Sequence, residues 1–107
     1  MRRAGIVLEV ILFFILVTPY AFAVDQSICK LDSTITLHPN GTLRSCMLKD
    51  LYKANSIQCN LGSISFYDNG NLEGCVLAAK ATVDGVTCNE LAPISFYPNG
   101  KLKSCVK

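Results

Sequence analysis

Six cysteines and one histidine are the residues of this 107-residue chain whose types could support chemistry. Cysteine thiolates carry out redox exchange, usually from a Cys-x-x-Cys motif, and they bind zinc at similarly short spacings. The closest pairs here, Cys46 with Cys59 and Cys75 with Cys88, are 13 residues apart in sequence. The spacing therefore predicts neither a thiol oxidoreductase nor a zinc site.

His38 is the one residue that could pair with a cysteine in nucleophilic catalysis. Two segments similar to its surroundings carry Tyr67 and Tyr97 in its place, so the position favours a flat side chain rather than an imidazole. Paired carboxylates and a glycine-rich phosphate loop are absent as patterns. We predict a protein that is not an enzyme, with no catalytic residue, no cofactor and no metal.

The first 23 residues have the pattern of a secretory signal peptide. A basic start (Met1 to Arg3) precedes an apolar stretch (Val10 to Val17) and Pro19, and Ala21-Phe22-Ala23 fits a signal-peptidase site. We predict cleavage after Ala23, a secreted or periplasmic product and no stable membrane span after processing. The alternative is an uncleaved anchor over Ala4 to Val24, which is about long enough to cross a bilayer.

Residues 24–107 form the predicted single domain. Their eight Lys and Arg residues nearly balance seven Asp and Glu residues, which gives no electrostatic argument for a nucleic-acid partner. A domain of this size buries only roughly 60 to 65% of its unfolded surface. Six cysteines in such an exported chain are therefore typical of an oxidised framework that supplements a small core.

An internal repeat is the strongest pattern in the chain. Three segments share the centres ITLHPNGTLRSC, ISFYDNGNLEGC and ISFYPNGKLKSC. Their turn glycines, Gly41, Gly70 and Gly100, are 29 and 30 residues apart, which indicates a repeat protein. The repeats run from one cysteine to the next, over residues 29–46, 59–75 and 88–105.

Each repeat centre predicts a β-hairpin, because the Pro/Asp-Asn-Gly sequence suits a type I turn followed by a left-handed glycine. If His38 pairs with Thr42, Leu37 faces Leu43 and Ile35 faces Ser45. The apolar positions then share one face, with equivalents in each repeat: Ile35, Leu37, Leu43, Ile64, Phe66, Leu72, Ile94, Phe96 and Leu102. We predict an all-β fold, a disulfide-stabilised antiparallel meander of three β-hairpin repeats.

The segments between repeats are also strand-like. Asp84-Gly85 between two valines predicts a two-residue hairpin turn. The corresponding stretch of the first linker lacks Asp-Gly and is expected to turn less tightly around Asn55-Ser56.

Two disulfide schemes agree with the repeat. In the expected register Cys46 lies opposite Thr34, which places Cys29 about 16 Å further along its strand or about 9.6 Å away on another strand. Either distance is too long for a disulfide within the repeat. The favoured scheme is staggered, and the alternative pairs the two cysteines of each repeat. The staggered pairs are Cys46 with Cys59, Cys75 with Cys88, and Cys29 with Cys105.

The outer face of the predicted sheet is the candidate binding surface. His38, Tyr67 and Tyr97 would form a row beside Arg44 and Lys103. Aromatic rows on repeat surfaces can bind protein or carbohydrate. The alternative is that these residues are ordinary cross-strand packing residues beside a turn.

The F-Y-x-N-G-x-L sequence at Phe66 to Leu72 and Phe96 to Leu102 resembles the hairpin repeats of MORN-type proteins, in their Asn-Gly variant. The Leu-x-Ser-Cys ending of Leu43 to Cys46 and Leu102 to Cys105 is similar to that of uncharacterised exported bacterial repeat proteins. This resemblance implies a repetitive β-sheet used for association.

Together these patterns predict an exported β-repeat protein with a structural role or a role in binding a protein or a glycan. The alternative function is that of a small secreted inhibitor or toxin-like effector that acts through its hairpin loops.

Overall fold

The computed structural model describes residues 25–107, so the predicted signal peptide lies outside the described residues. This part of the chain is all-β apart from a 3₁₀ turn over Gln26–Ile28. Its ten strands are β1 (Thr36–Leu37), β2 (Leu43–Met47), β3 (Tyr52–Ala54), β4 (Ile57–Cys59), β5 (Ser63–Phe66), β6 (Leu72–Val76), β7 (Ala81–Val83), β8 (Val86–Cys88), β9 (Pro93–Phe96) and β10 (Leu102–Cys105).

Three hairpins lie side by side in one antiparallel sheet, in the order β1-β2-β5-β6-β9-β10. Each hairpin comes from one repeat, and its turn glycine is left-handed, with φ of 88° at Gly41, 89° at Gly70 and 90° at Gly100. Such a φ costs glycine little and other residues more, which explains the Asn-Gly pattern. The predicted fold class is confirmed.

The expected hairpin register is correct at the turn and shifts beyond it. His38 N donates to Thr42 O at 2.8 Å, and Leu37 lies opposite Leu43. A bulge after this pair then places Thr36, instead of Ile35, opposite Ser45. The same irregularity occurs in the other two hairpins, so it belongs to the repeat.

One face of the sheet forms the core with the residues that the alternation predicts. Ile64, Phe66, Ile94 and Phe96 are at most 2% exposed. Leu37, the equivalent of the two phenylalanines, is instead 45% exposed. It lies on the edge strand β1, and the described residues provide no preceding hairpin that could cover it.

Two short hairpins, β3–β4 and β7–β8, cover the apolar face. The Tyr52 ring packs edge-on against the Phe66 ring with centroids 6.4 Å apart, and Asp84 Oδ2 accepts from Leu102 N at 2.8 Å. The Asp84-Gly85 turn is confirmed. The expected looser turn at Asn55-Ser56 is wrong: Ala54 pairs with Ile57, and both turn residues take positive φ, 49° and 65°.

The staggered disulfide scheme is wrong. The three disulfides join the two cysteines of each repeat, Cys29 with Cys46, Cys59 with Cys75, and Cys88 with Cys105, at Cα separations of 5.8, 5.8 and 5.6 Å. A bridge between Cys29 and Cys105 is excluded because the first and third hairpins lie at opposite edges of the sheet, which are about 24 Å apart at five strand spacings.

A turn after the first cysteine of each repeat explains the error. The segment from Lys30 to Ser33 folds back on itself, with Ser33 N donating to Lys30 O, so it does not extend along the strand. The main chain of Cys29 consequently forms an isolated antiparallel β-bridge with Leu48, which lies two residues after Cys46. Cys59 forms the same kind of β-bridge with Leu77. The paired cysteines are therefore diagonal neighbours on adjacent segments.

We expect peptide mapping under non-reducing conditions to recover Cys59 linked to Cys75. Replacing this pair with alanines should lower the free energy of unfolding by about 3 kcal/mol, because the disulfide closes a loop of 16 residues. Chemical denaturation of the oxidised protein measures the difference. A peptide containing Cys46 linked to Cys59 would contradict the observed pairing.

Gly74 permits close contact between the second and third repeats. A Cβ atom at this position would lie 2.9 Å from the backbone oxygen of Ile94, which belongs to the neighbouring strand β9. We expect Gly74→Ala to lower the free energy of unfolding by about 1 to 3 kcal/mol, because β6 and β9 must separate. Ser45→Ala, at the equivalent position of the first repeat, is the control: it adds no atom at the junction and removes only the exposed hydrogen bond between the Ser45 and Thr36 hydroxyls, so it should cost less. Equal effects of the two substitutions would show that the close contact is unimportant.

Candidate binding surface

Two residues of the predicted aromatic row join neighbouring repeats. His38 Nε2 lies 2.8 Å from Phe66 O, and Tyr67 Oη donates to Phe96 O at 2.7 Å. Both side chains are partly buried. Each therefore extends from the end of its own hairpin to the main chain of the next repeat, and these polar atoms are occupied by contacts within the fold.

The turn asparagines make a second contact between repeats. Asn40 Nδ2 donates to Asp68 O at 3.1 Å, and Asn69 Nδ2 donates to Pro98 O at 3.2 Å. The Oδ1 atom of each asparagine also accepts a backbone N–H two residues later, which stabilises its own turn. The three hairpin tips are thus connected in a continuous row.

Tyr97 has a different environment from its two equivalents. This residue is 48% exposed, and its Oη has no hydrogen bond to any described residue. Lys103 Nζ lies 5.9 Å from the centroid of this ring, within the range of a cation–π contact. Arg44 and Lys103 are both exposed on the sheet. The accessible part of the predicted row is therefore concentrated at the third repeat.

A row of exposed leucines is a feature that the sequence analysis missed. Leu31, Leu61 and Leu91 are 97%, 55% and 68% exposed. Each lies in the turn after the first cysteine of its repeat, at the end of the sheet opposite the Asn-Gly turns. The repeat alignment itself contained the signal, since a leucine occurs two or three residues after Cys29, Cys59 and Cys88. We call these three residues the leucine rim.

Main-chain hydrogen bonds hold the segments that carry the leucine rim. The residue after the first cysteine donates to the residue after the second: Lys30 N to Met47 O at 2.8 Å, Asn60 N to Val76 O at 2.7 Å, and Asn89 N to Val106 O at 2.7 Å. The disulfides lie beside these bonds. Each leucine is therefore presented from a turn that is anchored at its base.

A cleft of about 350 Å³ lies between the β3–β4 hairpin and the turns of the second and third repeats. Its lining is formed by apolar side chains, amides and glycine backbone, with Tyr52 as its titratable residue. Such a lining can accept or donate hydrogen bonds, but it offers no carboxylate, imidazole or thiol for acid–base or nucleophilic chemistry.

Residues 25–107 contain no group of three or more His, Cys, Asp or Glu side chains arranged to hold a metal ion. Within the same residues, no helix has the length and apolar character needed to cross a membrane. Comparisons with protein-family models, curated proteins and solved structures gave no match.

The hydroxyl groups of Tyr67 and Tyr97 should contribute differently to stability. Tyr67→Phe removes a hydrogen bond between repeats and leaves Phe96 O without this donor, so we expect it to lower the free energy of unfolding by about 1 kcal/mol. Tyr97→Phe is the matched control and should leave the stability unchanged. Denaturant titration of both variants tests this, and equal stabilities would show that the Tyr67 bond contributes nothing.

Proposed function

We propose that this chain is an exported, disulfide-stabilised β-repeat protein that binds a partner protein through the leucine rim, without catalysis. The repetition of three exposed leucines at equivalent positions carries the proposal. Single exposed apolar residues are common on protein surfaces, but here each repeat presents one exposed leucine at the same end of the sheet, as repeat proteins do on their extended binding surfaces.

The spacing of the leucine rim favours a protein as its partner. Equivalent positions in adjacent repeats are two strands apart, or about 10 Å, so the three leucines span about 19 Å. Burying one leucine side chain contributes about 1.5 to 3 kcal/mol. Sugars are typically recognised by flat aromatic faces with free polar groups, but His38 and Tyr67 use their polar atoms within the fold. These contacts favour a protein over a glycan.

Three disulfides within one chain are consistent with an extracellular location, because such bonds persist in oxidising compartments. The signal-like residues 1–23 support secretion or periplasmic export as the route. The resemblance to MORN-type hairpin repeats supports the same general role, a repetitive β-sheet used for association. The tip amides of Asn40 and Asn69, which a loop-directed inhibitor would present, donate to the neighbouring turns instead.

The triple variant Leu31→Ser, Leu61→Ser and Leu91→Ser tests this function. Affinity capture from the extracellular or periplasmic fraction of the source should recover a partner with the unmodified protein. The triple variant should bind that purified partner at least about tenfold more weakly, because the loss of even one of the three contacts removes about 1.5 kcal/mol.

Leu37→Ser is the matched control, since this leucine is 45% exposed but lies beside an Asn-Gly turn. It should retain the partner. All four leucines lie outside the buried core, so thermal unfolding should differ little among the variants. Equal binding by the unmodified protein and the triple variant would exclude the leucine rim as the binding surface.

A further inference from the structure

The two junctions between repeats use the same contacts. In each, three residue pairs join the second strand of one hairpin to the first strand of the next, β2 with β5 and β6 with β9. In each junction, the side chain of the residue before the turn, His38 or Tyr67, makes a hydrogen bond to the main-chain oxygen of a phenylalanine in the next repeat. In each, the side-chain amide of the turn asparagine donates to a main-chain oxygen in the turn of the next repeat. The same interface therefore occurs twice in the chain, and its two sides are formed by different strands.

The outer edge of β10 is the first half of such a junction. Tyr97 Oη and Asn99 Nδ2 are equivalent to the donors of the earlier repeats, and neither has an acceptor among the described residues. Leu102 and Cys105 are partly exposed, whereas the equivalent Leu72 and Cys75 are 4% and 6% exposed. No described strand pairs with this edge.

The outer edge of β1 is the second half. Leu37 is equivalent to Phe66 and Phe96, whose carbonyls accept the His38 and Tyr67 side chains. Pro39 is likewise equivalent to Asp68 and Pro98, whose carbonyls accept the asparagine amides. By the repeat geometry, the carbonyls of Leu37 and Pro39 face outward from the sheet edge, where no described strand covers them.

We propose that β10 of one copy of this chain pairs with β1 of a second copy, so that copies associate end to end. The register of the internal junctions assigns the pairs Ser104 with Thr36, Cys105 with Ile35, and Val106 with Thr34. Tyr97 Oη then donates to Leu37 O of the second copy. The pairing of the sheet edges does not rest on the proposed function of the leucine rim.

The two halves lie at opposite edges of the described sheet, so the contact is heterologous and each added copy leaves another open edge. Lys107 is the repeat equivalent of Leu48 and Leu77, which are 1% and 0% exposed. The junction between copies therefore lacks one apolar contact that the internal junctions have. The association should consequently be weaker than the packing of repeats within the chain, and it should depend on concentration.

Sedimentation velocity of the exported chain over a range of concentrations tests the proposal. We expect a series of dimers, trimers and longer species whose proportion grows with concentration. Tyr97→Phe should weaken the association about fivefold, because it removes one hydrogen bond across the junction. Lys107→Leu should strengthen it about fivefold by restoring an apolar contact.

Tyr67→Phe is the matched control, since it removes the same hydroxyl from an internal junction and should leave self-association unchanged. The double variant Leu61→Ser and Leu91→Ser should also associate normally, because both leucines belong to internal junctions, and this separates the interface from the proposed partner surface. A species that stays monomeric at all concentrations, or a dimer that forms no larger species, would overturn end-to-end pairing. So would association that Tyr97→Phe and Lys107→Leu leave unchanged.

Discussion

The contact between the first cysteine of each repeat and the end of the repeat's second strand is the constraint on which this fold depends. In the first two repeats, the first cysteine pairs through its main chain with the residue two positions past the second cysteine, so the disulfide forms diagonally across two adjacent segments. The strands contain only two to five residues, and a hairpin of that length is marginal by itself. The disulfide closes each repeat and fixes the turn that carries an exposed leucine.

Contacts between repeats extend this local unit into a sheet. The side chains of His38 and Tyr67 bind main-chain oxygens of the following repeat, so a row that could have served recognition instead joins the hairpins. The short hairpins β3–β4 and β7–β8 then cover the apolar face. Such an array buries its central strands and leaves the leucine rim and the two edge strands accessible. The proposed partner binds the leucine rim, and the proposed second copy binds an edge strand, since open sheet edges and exposed apolar residues favour association.

Much of the fold was predictable because its determinants are local. An Asn-Gly turn specifies a hairpin through the φ that glycine accepts, and alternation identifies the core face, as Ile64, Phe66 and Phe96 show. Leu37 departs from the pattern because burial depends on neighbours as well as on residue type. Asn55-Ser56 closes a tight turn although neither residue is glycine, since both residues take positive φ.

The amino-acid sequence by itself determined the three-fold repeat, the hairpins, most of the core and the oxidised framework, because each depends on periodicity, turn chemistry or composition. The tertiary structure alone decided which cysteines meet. A bulge and the fold-back from Lys30 to Ser33 change the register by amounts that residue spacing does not reveal. The tertiary structure also decided that the Tyr67 hydroxyl is hydrogen-bonded and the Tyr97 hydroxyl is not, because a described repeat follows Tyr67 and none follows Tyr97.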